Sequence, residues 1–309
     1  MRKTFKLLAV AMALVLCAGL QSCHNTEQIP HGYPILFRCA DITRAETTVT
    51  TLQNDPEGFD VYAYFEANGS EFKFNKNVIY KDGVWGYTGD IEYWLPGATY
   101  WFKAAYPKGV GTIDNNTSAQ SFTIENFDVT SQTDLLVAQT GAIDVDASLG
   151  SPTGGSIVNL QFKHLLANVV IAMKSEISGV EVKNISLVTV AQTGSYDDTK
   201  AVPWSASQTT DIVKKNIDKT LSYNTVEYTD VTNGGFLVIP QVINGTQKLK
   251  IETSSKEYEL VIPNIIWSVG TQYIYTLTVQ QNDILFDMPT IVKVDEWDEK
   301  NATGSVIIK

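Results

Sequence analysis

Residues that commonly perform chemistry are scarce in this chain, which has 309 residues and only three histidines. His24 and His31 lie in a short polar stretch near the start, so a histidine-based catalytic triad would have to use His164. That residue stands between Phe162 and Leu165 in an apolar run. Such neighbours predict a buried structural histidine rather than a catalytic one.

Other candidates for catalysis or metal binding are equally weak. Cys39 lies on the apolar face of a predicted strand, where no basic partner is expected to lower its thiol pKa. The chain has no zinc-type spacing of His and Cys, no phosphate-binding glycine loop and no calcium-hand loop. Asp144 with Asp146, and Asp197 with Asp198, are interpreted as solvated loop carboxylates, weak calcium binding being the alternative. No pair among the 34 acidic residues stands out for glycoside hydrolysis, so we expect no enzyme, no metal and no cofactor.

The first residues have the layout of an export signal. Arg2, Lys3 and Lys6 precede residues 7–22, a mostly apolar run of 16 residues that is too short to span a bilayer as a permanent helix. Residues 1–22 are therefore predicted to be a signal peptide that is removed on export.

The end of this run, Leu20-Gln21-Ser22-Cys23, matches the processing site of bacterial lipoproteins, whose cysteine is acylated and becomes the first mature residue. Two or three acyl chains hold a protein on a membrane almost permanently, since each buried CH₂ contributes about 0.8 kcal/mol. Cys23 is thus the predicted lipidation site. Ordinary cleavage nearby, with Cys23 unmodified, is the alternative.

The charge of the chain excludes one class of partner. Removal of residues 1–22 would take away three basic residues and no acidic one, so the formal charge of −11 would become −14. A chain this acidic is not expected to bind nucleic acid. The remaining 287 residues suit one large or two ordinary domains, each able to bury a core.

A strand is predicted soon after the signal. The polar residues 23–32 show no periodicity and are predicted to be a flexible tether. Residues 33–41 then follow a period of two, with Ile35, Phe37 and Cys39 on one face. This alternation is typical of a strand that is buried on one side.

Short strand-like runs continue along the chain, and strong turn signals join several of them. Asn68-Gly69 and Lys81-Asp82-Gly83 predict two hairpins. Nine aromatic residues between Tyr80 and Tyr106 are interpreted as core. A sugar-stacking surface that includes Trp94 and Trp101 is the alternative.

The density of short strands, with no convincing helix longer than two turns, predicts an all-β architecture. The most loop-like internal stretch is residues 148–156, which is rich in Gly and Ser. It predicts a division into two tandem β-sandwich domains, residues 33–155 and residues 156–309. The clearest period-two strand covers residues 271–279.

The chain resembles the fimbrillin family of Bacteroidales. The resemblance rests on the order and spacing of segments over nearly the whole chain, namely the lipoprotein signal, Ile42–Ala45, Trp94–Gly97, Ala105–Pro107, Asp134–Ala138, Leu160–Asn168, Val238–Gln241 and Trp267–Tyr275. It implies sandwich domains of transthyretin-like topology, export as a lipoprotein to the outer membrane, and assembly with other subunits into surface fimbriae.

The resemblance also implies a mechanism of assembly. In that family an Arg-specific, trypsin-like protease removes the N-terminal strand, and a strand from the next subunit enters the opened groove. Ile35, Phe37 and Cys39 would belong to the displaced strand, and Arg44 would be the cleavage site. Arg38 is the second choice, because it lies inside the predicted strand, where a protease would not reach its backbone. An ordinary surface role for Arg44 is the alternative.

The donor strand is expected at the end of the chain, where Val306 and Ile308 share one face. Residues 291–297 are a second choice, and an ordinary closing strand of the C-terminal domain is the alternative. The predicted function is that of a structural or adhesive fimbrial subunit, with a host or bacterial surface ligand as a further partner. The alternative is a monomeric lipoprotein that binds glycans through exposed aromatic residues.

Overall fold

The structure is a computed structural model that describes residues 32–39, 48–113, 121–214, 216–281, 283–286 and 290–293. Within these residues lie 25 β-strands, a single α-helix of six residues and one short 3-10 helix. The all-β architecture predicted from the density of short strands is thereby confirmed.

The first eleven strands extend from residue 36 to residue 164. In chain order they are β1 (Leu36–Cys39), β2 (Phe59–Ala67), β3 (Ser70–Lys81), β4 (Val84–Tyr87), β5 (Thr99–Tyr106), β6 (Thr112–Ile113), β7 (Phe122–Asp128), β8 (Leu136–Gln139), β9 (Ile143–Asp144), β10 (Ile157–Leu160) and β11 (Lys163–His164).

The remaining strands extend from residue 167 to residue 293. They are β12 (Ala167–Ser175), β13 (Glu181–Asp197), β14 (Trp204–Lys214), β15 (Lys219–Thr220), β16 (Ser222–Tyr223), β17 (Thr229–Asp230), β18 (Phe236–Val238), β19 (Gln241–Ile243), β20 (Lys248–Thr253), β21 (Glu257–Val261), β22 (Ile265–Trp267), β23 (Thr271–Val279), β24 (Ile284–Phe286) and β25 (Thr290–Lys293). Helix α1 is Val49–Asn54, and the 3-10 helix is Val129–Ser131.

The first sheet has the strand order β11-β8-β5-β2-β3-β4, and β9 also pairs with β5. One end of this sheet, β2-β3-β4, is built from two hairpins that the sequence predicts. Asn68 and Gly69 connect β2 to β3 with φ angles of 51° and 72°, and Asp82 and Gly83 connect β3 to β4 with φ angles of 53° and 85°. Positive φ at both turn residues matches the twist of the flanking strands, which explains why Asn-Gly and Asp-Gly occupy these turns.

The second sheet is centred on β12 and β23, and the third on β13. The second has the order β16-β12-β23-β24, with β17 and β18 also pairing with β12 and β25 pairing with β23. The third has the order β21-β20-β13-β7-β6, with β14 and β15 also pairing with β13. Inward-facing residues of both sheets, such as Ile171, Leu277, Leu187 and Ile251, belong to one buried cluster, the second core.

The first core lies on one face of the first sheet. It contains Phe59, Val61 and Phe102 from that sheet, together with side chains of β1 and β10. Within the described residues those two strands pair with each other alone, as a separate two-stranded sheet; β19 and β22 form another such pair. The opposite face of the first sheet meets the second core, because Tyr62 packs against it. The transthyretin-like topology and the boundary between residues 155 and 156 stay predictions.

Candidate functional site

Strand β1 is the part of the molecule that the sequence marks most clearly, and the structure describes its whole length. The alternation predicted for residues 33–41 appears as burial: Ile35, Phe37 and Cys39 are 0%, 5% and 8% exposed, whereas Leu36 is 41% exposed. Side chains of a strand point alternately to its two faces, so the buried three share the face that looks into the first core.

The backbone partner of β1 is β10. The two strands are parallel, with Leu36 opposite Ile157 and Cys39 opposite Leu160. Strands β2 to β9 lie between them in the sequence, so this pairing is entirely non-local. Ile157–Leu160 therefore forms one wall of the slot that holds the N-terminal strand, which we call the N-terminal groove.

The other wall of the N-terminal groove comes from the segment before β5. The Ile35 N–H donates to the Glu92 carbonyl at 2.8 Å, and the Trp94 N–H donates to the Tyr33 carbonyl at 2.9 Å. The Tyr87 hydroxyl donates to the Ile35 carbonyl at 3.0 Å and accepts a hydrogen bond from the Glu92 N–H at 3.2 Å. The backbone N–H and carbonyl of Ile35 are thus both hydrogen-bonded to the groove.

Aromatic rings form the floor of the N-terminal groove. The Phe37 ring lies 5.8 Å from the Tyr87 ring and 5.7 Å from the Phe102 ring, the latter in an edge-to-face arrangement. Trp94, which is 1% exposed, also packs on Phe102 and donates from Nε1 to the Ser156 carbonyl at 3.2 Å. Edge-to-face pairs contribute about 0.5–1.5 kcal/mol beyond the burial of their area.

This burial decides the role of most of the aromatic residues between Tyr80 and Tyr106. Trp94, Tyr100 and Phe102 are at most 1% exposed, so they fill the core as interpreted and cannot stack on a sugar. Trp101, on the opposite face of β5, is partly exposed and lies 5.5 Å from the Tyr64 ring. The sugar-stacking surface predicted as the alternative therefore lacks Trp94.

The two residues considered for catalysis are structural. Burial raises the pKa of the Cys39 thiol from 9.0 to about 12, which leaves it in the unreactive protonated form at neutral pH. Nδ1 of the buried His164 lies 2.7 Å from Oδ2 of Asp134, whose other oxygen accepts from the Leu135 N–H. Nε2 of His164 is also buried and has no hydrogen-bond partner within the described residues. No nucleophile of these residues is therefore bonded to the imidazole.

Two of the acidic loop residues cap turns, whereas Asp198 is not a solvated carboxylate but pairs with Lys103. Asp146 accepts hydrogen bonds from the Ser148 and Leu149 N–H groups. Asp197 accepts from the N–H and hydroxyl of Thr199, and these two bonds hold the pKa of its carboxyl below the ordinary value. The part of the chain that the structure describes contains no group of three or more His, Cys, Asp or Glu that could hold a metal ion.

Several predicted site residues fall outside the described ranges, namely Cys23, Arg44, Val306 and Ile308. Arg38 is described: it is exposed, lies within β1 and is opposite Asn159 of β10. Its backbone is part of the strand ladder, in keeping with its place as the second choice for cleavage. Among the described residues, no helix has the length and apolar character needed to cross a membrane.

Sequence reasoning missed the walls of the N-terminal groove. Tyr87, Glu92 and residues 157–160 meet β1 only in the folded chain. The sequence offers a local signal only in Ile157-Val158-Asn159-Leu160, where three of the four residues are apolar. This run fits a short buried strand but does not reveal its partner.

Comparison with known proteins agrees with this fold. The structure of a fimbrial protein from Bacteroides vulgatus matches with a TM-score of 0.61 and 19% sequence identity. The match covers 84% of this chain and 99% of that one. A proposed cell adhesion protein from Bacteroides ovatus matches at 15% identity, with a TM-score of 0.58 over 84% of this chain and 97% of that one. At such identities the likeness is one of fold.

A further solved structure, of a proposed cell adhesion protein from Bacteroides uniformis, matches at 13% identity with a TM-score of 0.53, covering 86% of this chain and 99% of that one. No curated protein matches the chain significantly. The model of the fimbrillin-like family, however, matches residues 43–293, which is most of the sequence. The chain therefore belongs to the fimbrillin-like family.

Proposed function

We propose that this protein is a structural subunit of a surface fimbria, exported as a lipoprotein and assembled by donor-strand exchange after proteolysis. Membership of the fimbrillin-like family supports the fimbrial role. The observation that carries the exchange mechanism is β1: a strand of four residues, whose one strand partner among the described residues is β10, inserts every second side chain into the first core.

Covalent connectivity supports this role for β1. Residues 40–47 join β1 to the rest of the described chain, and the predicted cleavage site Arg44 falls within them. A single cut there would leave β1 held by noncovalent contacts alone. In the family these contacts give way to a strand from the neighbouring subunit, for which Val306 and Ile308 are the proposed donor residues.

The energetics favour replacement over an empty groove. Burial of Ile35 and Phe37 stabilises the fold by roughly 1.5–3 kcal/mol each, and the hydrogen bonds to Glu92 and Tyr87 add to this. That sum is a large part of the ~5–15 kcal/mol that stabilises an ordinary domain. A subunit without β1 would expose an apolar slot and unpaired backbone, both of which attract another strand.

Limited trypsin digestion tests the assembly mechanism. We expect one early cut that removes β1, detected by intact mass, followed by a ladder of SDS-resistant oligomers. Arg44→Gln should abolish both the cut and the ladder, whereas the matched variant Arg38→Gln should behave as wild type. Oligomers that form before cleavage, or a clean cut at Arg44 without any oligomer, would contradict the mechanism.

The donor is tested separately by deletion of residues 304–309. The shortened chain should still be cut at Arg44, because its own β1 and first core are unchanged, but its ladder should be lost. Addition of a synthetic peptide with the sequence of residues 301–309 should then protect the cut subunit from further digestion. An unchanged ladder from the shortened chain would move the donor to residues 291–297 or elsewhere.

Export as a lipoprotein rests on the basic start, the apolar residues 7–22 and the processing site at Cys23. In cells supplied with labelled palmitate, the wild-type protein should carry the label and partition into detergent. Cys23→Ser should lose both properties, while Cys39→Ser should keep them. Label on the Cys23→Ser variant would show that the anchor lies elsewhere.

A further inference from the structure

A second hollow of the molecule lies on the other side of the first sheet from the N-terminal groove. It is a cavity of about 440 Å³ between the first and third sheets, which we call the inter-sheet cavity. Among the residues that line it are Lys103, Gln139, Gln161, Lys163, Tyr196 and Asp198. Its volume lies within the range of ~300–1,000 Å³ that is typical of small-molecule sites, which often form where two packed units meet.

The inter-sheet cavity and the N-terminal groove are on opposite faces of the first sheet. Phe102 points into the first core and touches Phe37 of β1. Lys103, the next residue of β5, must point to the other face, because side chains of a strand alternate. The two sites are therefore separated by the sheet itself, and side chains of one can be changed without touching the other.

The strand register gathers polar side chains on the cavity face. Lys103 lies directly opposite Gln139 of β8, and Val137 of β8 lies opposite Lys163 of β11. Since Val137 and Gln139 are two residues apart on one strand, all four side chains share a face. Gln161, two residues before Lys163, also lines the cavity.

An ion pair is part of the cavity wall. The side chain of Lys103 is only 11% exposed and contacts Oδ2 of Asp198, while Oδ1 of Asp198 accepts from the Phe122 N–H at 2.8 Å. Lysine is rarely buried unless it is paired, and a buried pair is weak evidence for a role in stability. The pair does provide fixed donors and acceptors in the wall of the cavity.

The rim of the cavity carries an uncompensated positive charge. Gln139, Gln161 and Lys163 are exposed, and within the described residues Lys163 takes part in no ion pair. The two lysines, Lys103 and Lys163, and the one carboxylate, Asp198, have a net charge of +1. The formal charge of the whole chain is −11. An anionic group is therefore attracted to this opening although the protein as a whole repels anions.

We propose that the inter-sheet cavity binds an acidic saccharide, that is, a sugar residue that carries a carboxylate. The carboxylate would pair with Lys163, and the ring hydroxyls would bind the amides of Gln139 and Gln161, since an amide offers both a donor and an acceptor, as a hydroxyl does. Val137 and Tyr196 supply apolar surface for the ring. This activity is additional to the fimbrial role and does not depend on strand exchange.

An array of matched glycans, with and without a carboxylated sugar, tests the proposal on the full-length mature protein. The wild type should retain carboxylated glycans and ignore their neutral counterparts. The tightest glycan is then titrated against variants by calorimetry. Lys163→Ala and Gln139→Ala should each weaken binding at least fivefold, whereas Lys81→Ala, which removes an exposed lysine of the β3–β4 turn, should change nothing.

Melting temperatures close to that of the wild type are expected for all three variants, because each replaced side chain is exposed. The Lys163→Ala variant should also form the same oligomer ladder after trypsin, which separates this site from the assembly mechanism. Equal retention of neutral and carboxylated glycans, no retention of either, or unchanged affinity in both cavity variants would overturn the proposal.

Discussion

Two parallel strand pairs in this molecule are alike in burial but differ in how the fold holds them. Strand β1 pairs with β10 over four residue pairs, and β12 pairs with β23 over eight, from Asn168 opposite Gln272 to Ser175 opposite Val279. Both pairs place aliphatic side chains in a core at 0–1% exposure, Leu160 of β10 in one case and Ile171 of β12 in the other. Side-chain burial alone does not distinguish them.

The difference lies in the neighbours. Strand β12 also pairs with β16, β17 and β18, and β23 also pairs with β24 and β25, so each is fixed along both edges. Strand β1 has the shorter ladder, and the residues just before it are held by hydrogen bonds to Glu92, Tyr87 and Trp94. Within the described residues, β1 thus contributes fully buried side chains to a core although it has fewer backbone partners than β12 or β23.

The largest expected effect comes from a matched pair of substitutions, Ile35→Ala and Ile171→Ala. In the intact chain each should lower the free energy of unfolding by about 2–5 kcal/mol, because each empties a fully buried site. After cleavage at Arg44 and release of β1, the effect of Ile35→Ala should vanish while that of Ile171→Ala persists. Urea titration before and after trypsin measures both; an Ile35→Ala effect that survives cleavage would show that β1 stays in place.

A smaller effect is expected from a matched pair of tyrosines whose hydroxyls bridge backbone groups. Tyr87 bonds Ile35 and Glu92, and Tyr273 donates to the Ile266 carbonyl at 2.7 Å and accepts from the Ser268 N–H at 2.8 Å. Tyr87→Phe and Tyr273→Phe should each cost about 1–2 kcal/mol in the intact chain. Thermal unfolding of the cleaved chain should retain the full Tyr273→Phe effect and only part of the Tyr87→Phe effect.

The Cys39 thiol reports directly on the groove. Its pKa of about 12 lies above the ordinary value of 9.0, so the stability contributed by keeping this thiol protonated is complete below pH 9 and is lost as the pH rises toward 12. At pH 8, alkylation should be very slow in the intact chain and rapid after trypsin. The control is Cys39→Ala combined with Ala172→Cys, which moves the thiol to an equally exposed position of β12. The thiol introduced by Ala172→Cys should stay protected after the cut. Equal labelling of this thiol and of Cys39 after trypsin would contradict the difference between the β1–β10 and β12–β23 pairs.

The smallest effect is expected on the outer face of β1. Leu36 is 41% exposed, so Leu36→Thr should change the free energy of unfolding by no more than about 0.5 kcal/mol. The same chemical denaturation that is used for Ile35→Ala measures it. A change above 1 kcal/mol would mean that the outer face of β1 is covered by another part of the chain.

Local patterns carried the sequence predictions that the structure bears out. The alternation at Ile35, Phe37 and Cys39 predicts which side chains are buried, and Asn68-Gly69 predicts a turn whose geometry few other residue pairs can adopt. Both signals act over a few residues, where sterics and side-chain direction decide the outcome. The all-β class follows from the same short-range information.

Pairing between distant segments could not be predicted in this way. Nothing in Ile157-Val158-Asn159-Leu160 indicates that its partner is β1, because many apolar strands would satisfy the same ladder. The inter-sheet cavity depends on Lys103, Gln139 and Asp198 meeting from three strands or strand ends. The one available hint is Lys103 itself, a lone charge in the apolar run Tyr100–Tyr106.

The parallel direction of β1 and β10 also has a mechanical consequence. In a parallel pair, the start of one strand and the end of the other lie at opposite ends of the ladder. A pull applied between the chain before β1 and the chain after β10 therefore runs along the strands. It loads the ladder in shear, so that all four residue pairs must yield together rather than open one at a time. A subunit held at its N-terminus, with its chain intact, would therefore resist such a pull, although the β1–β10 ladder is only four residues long.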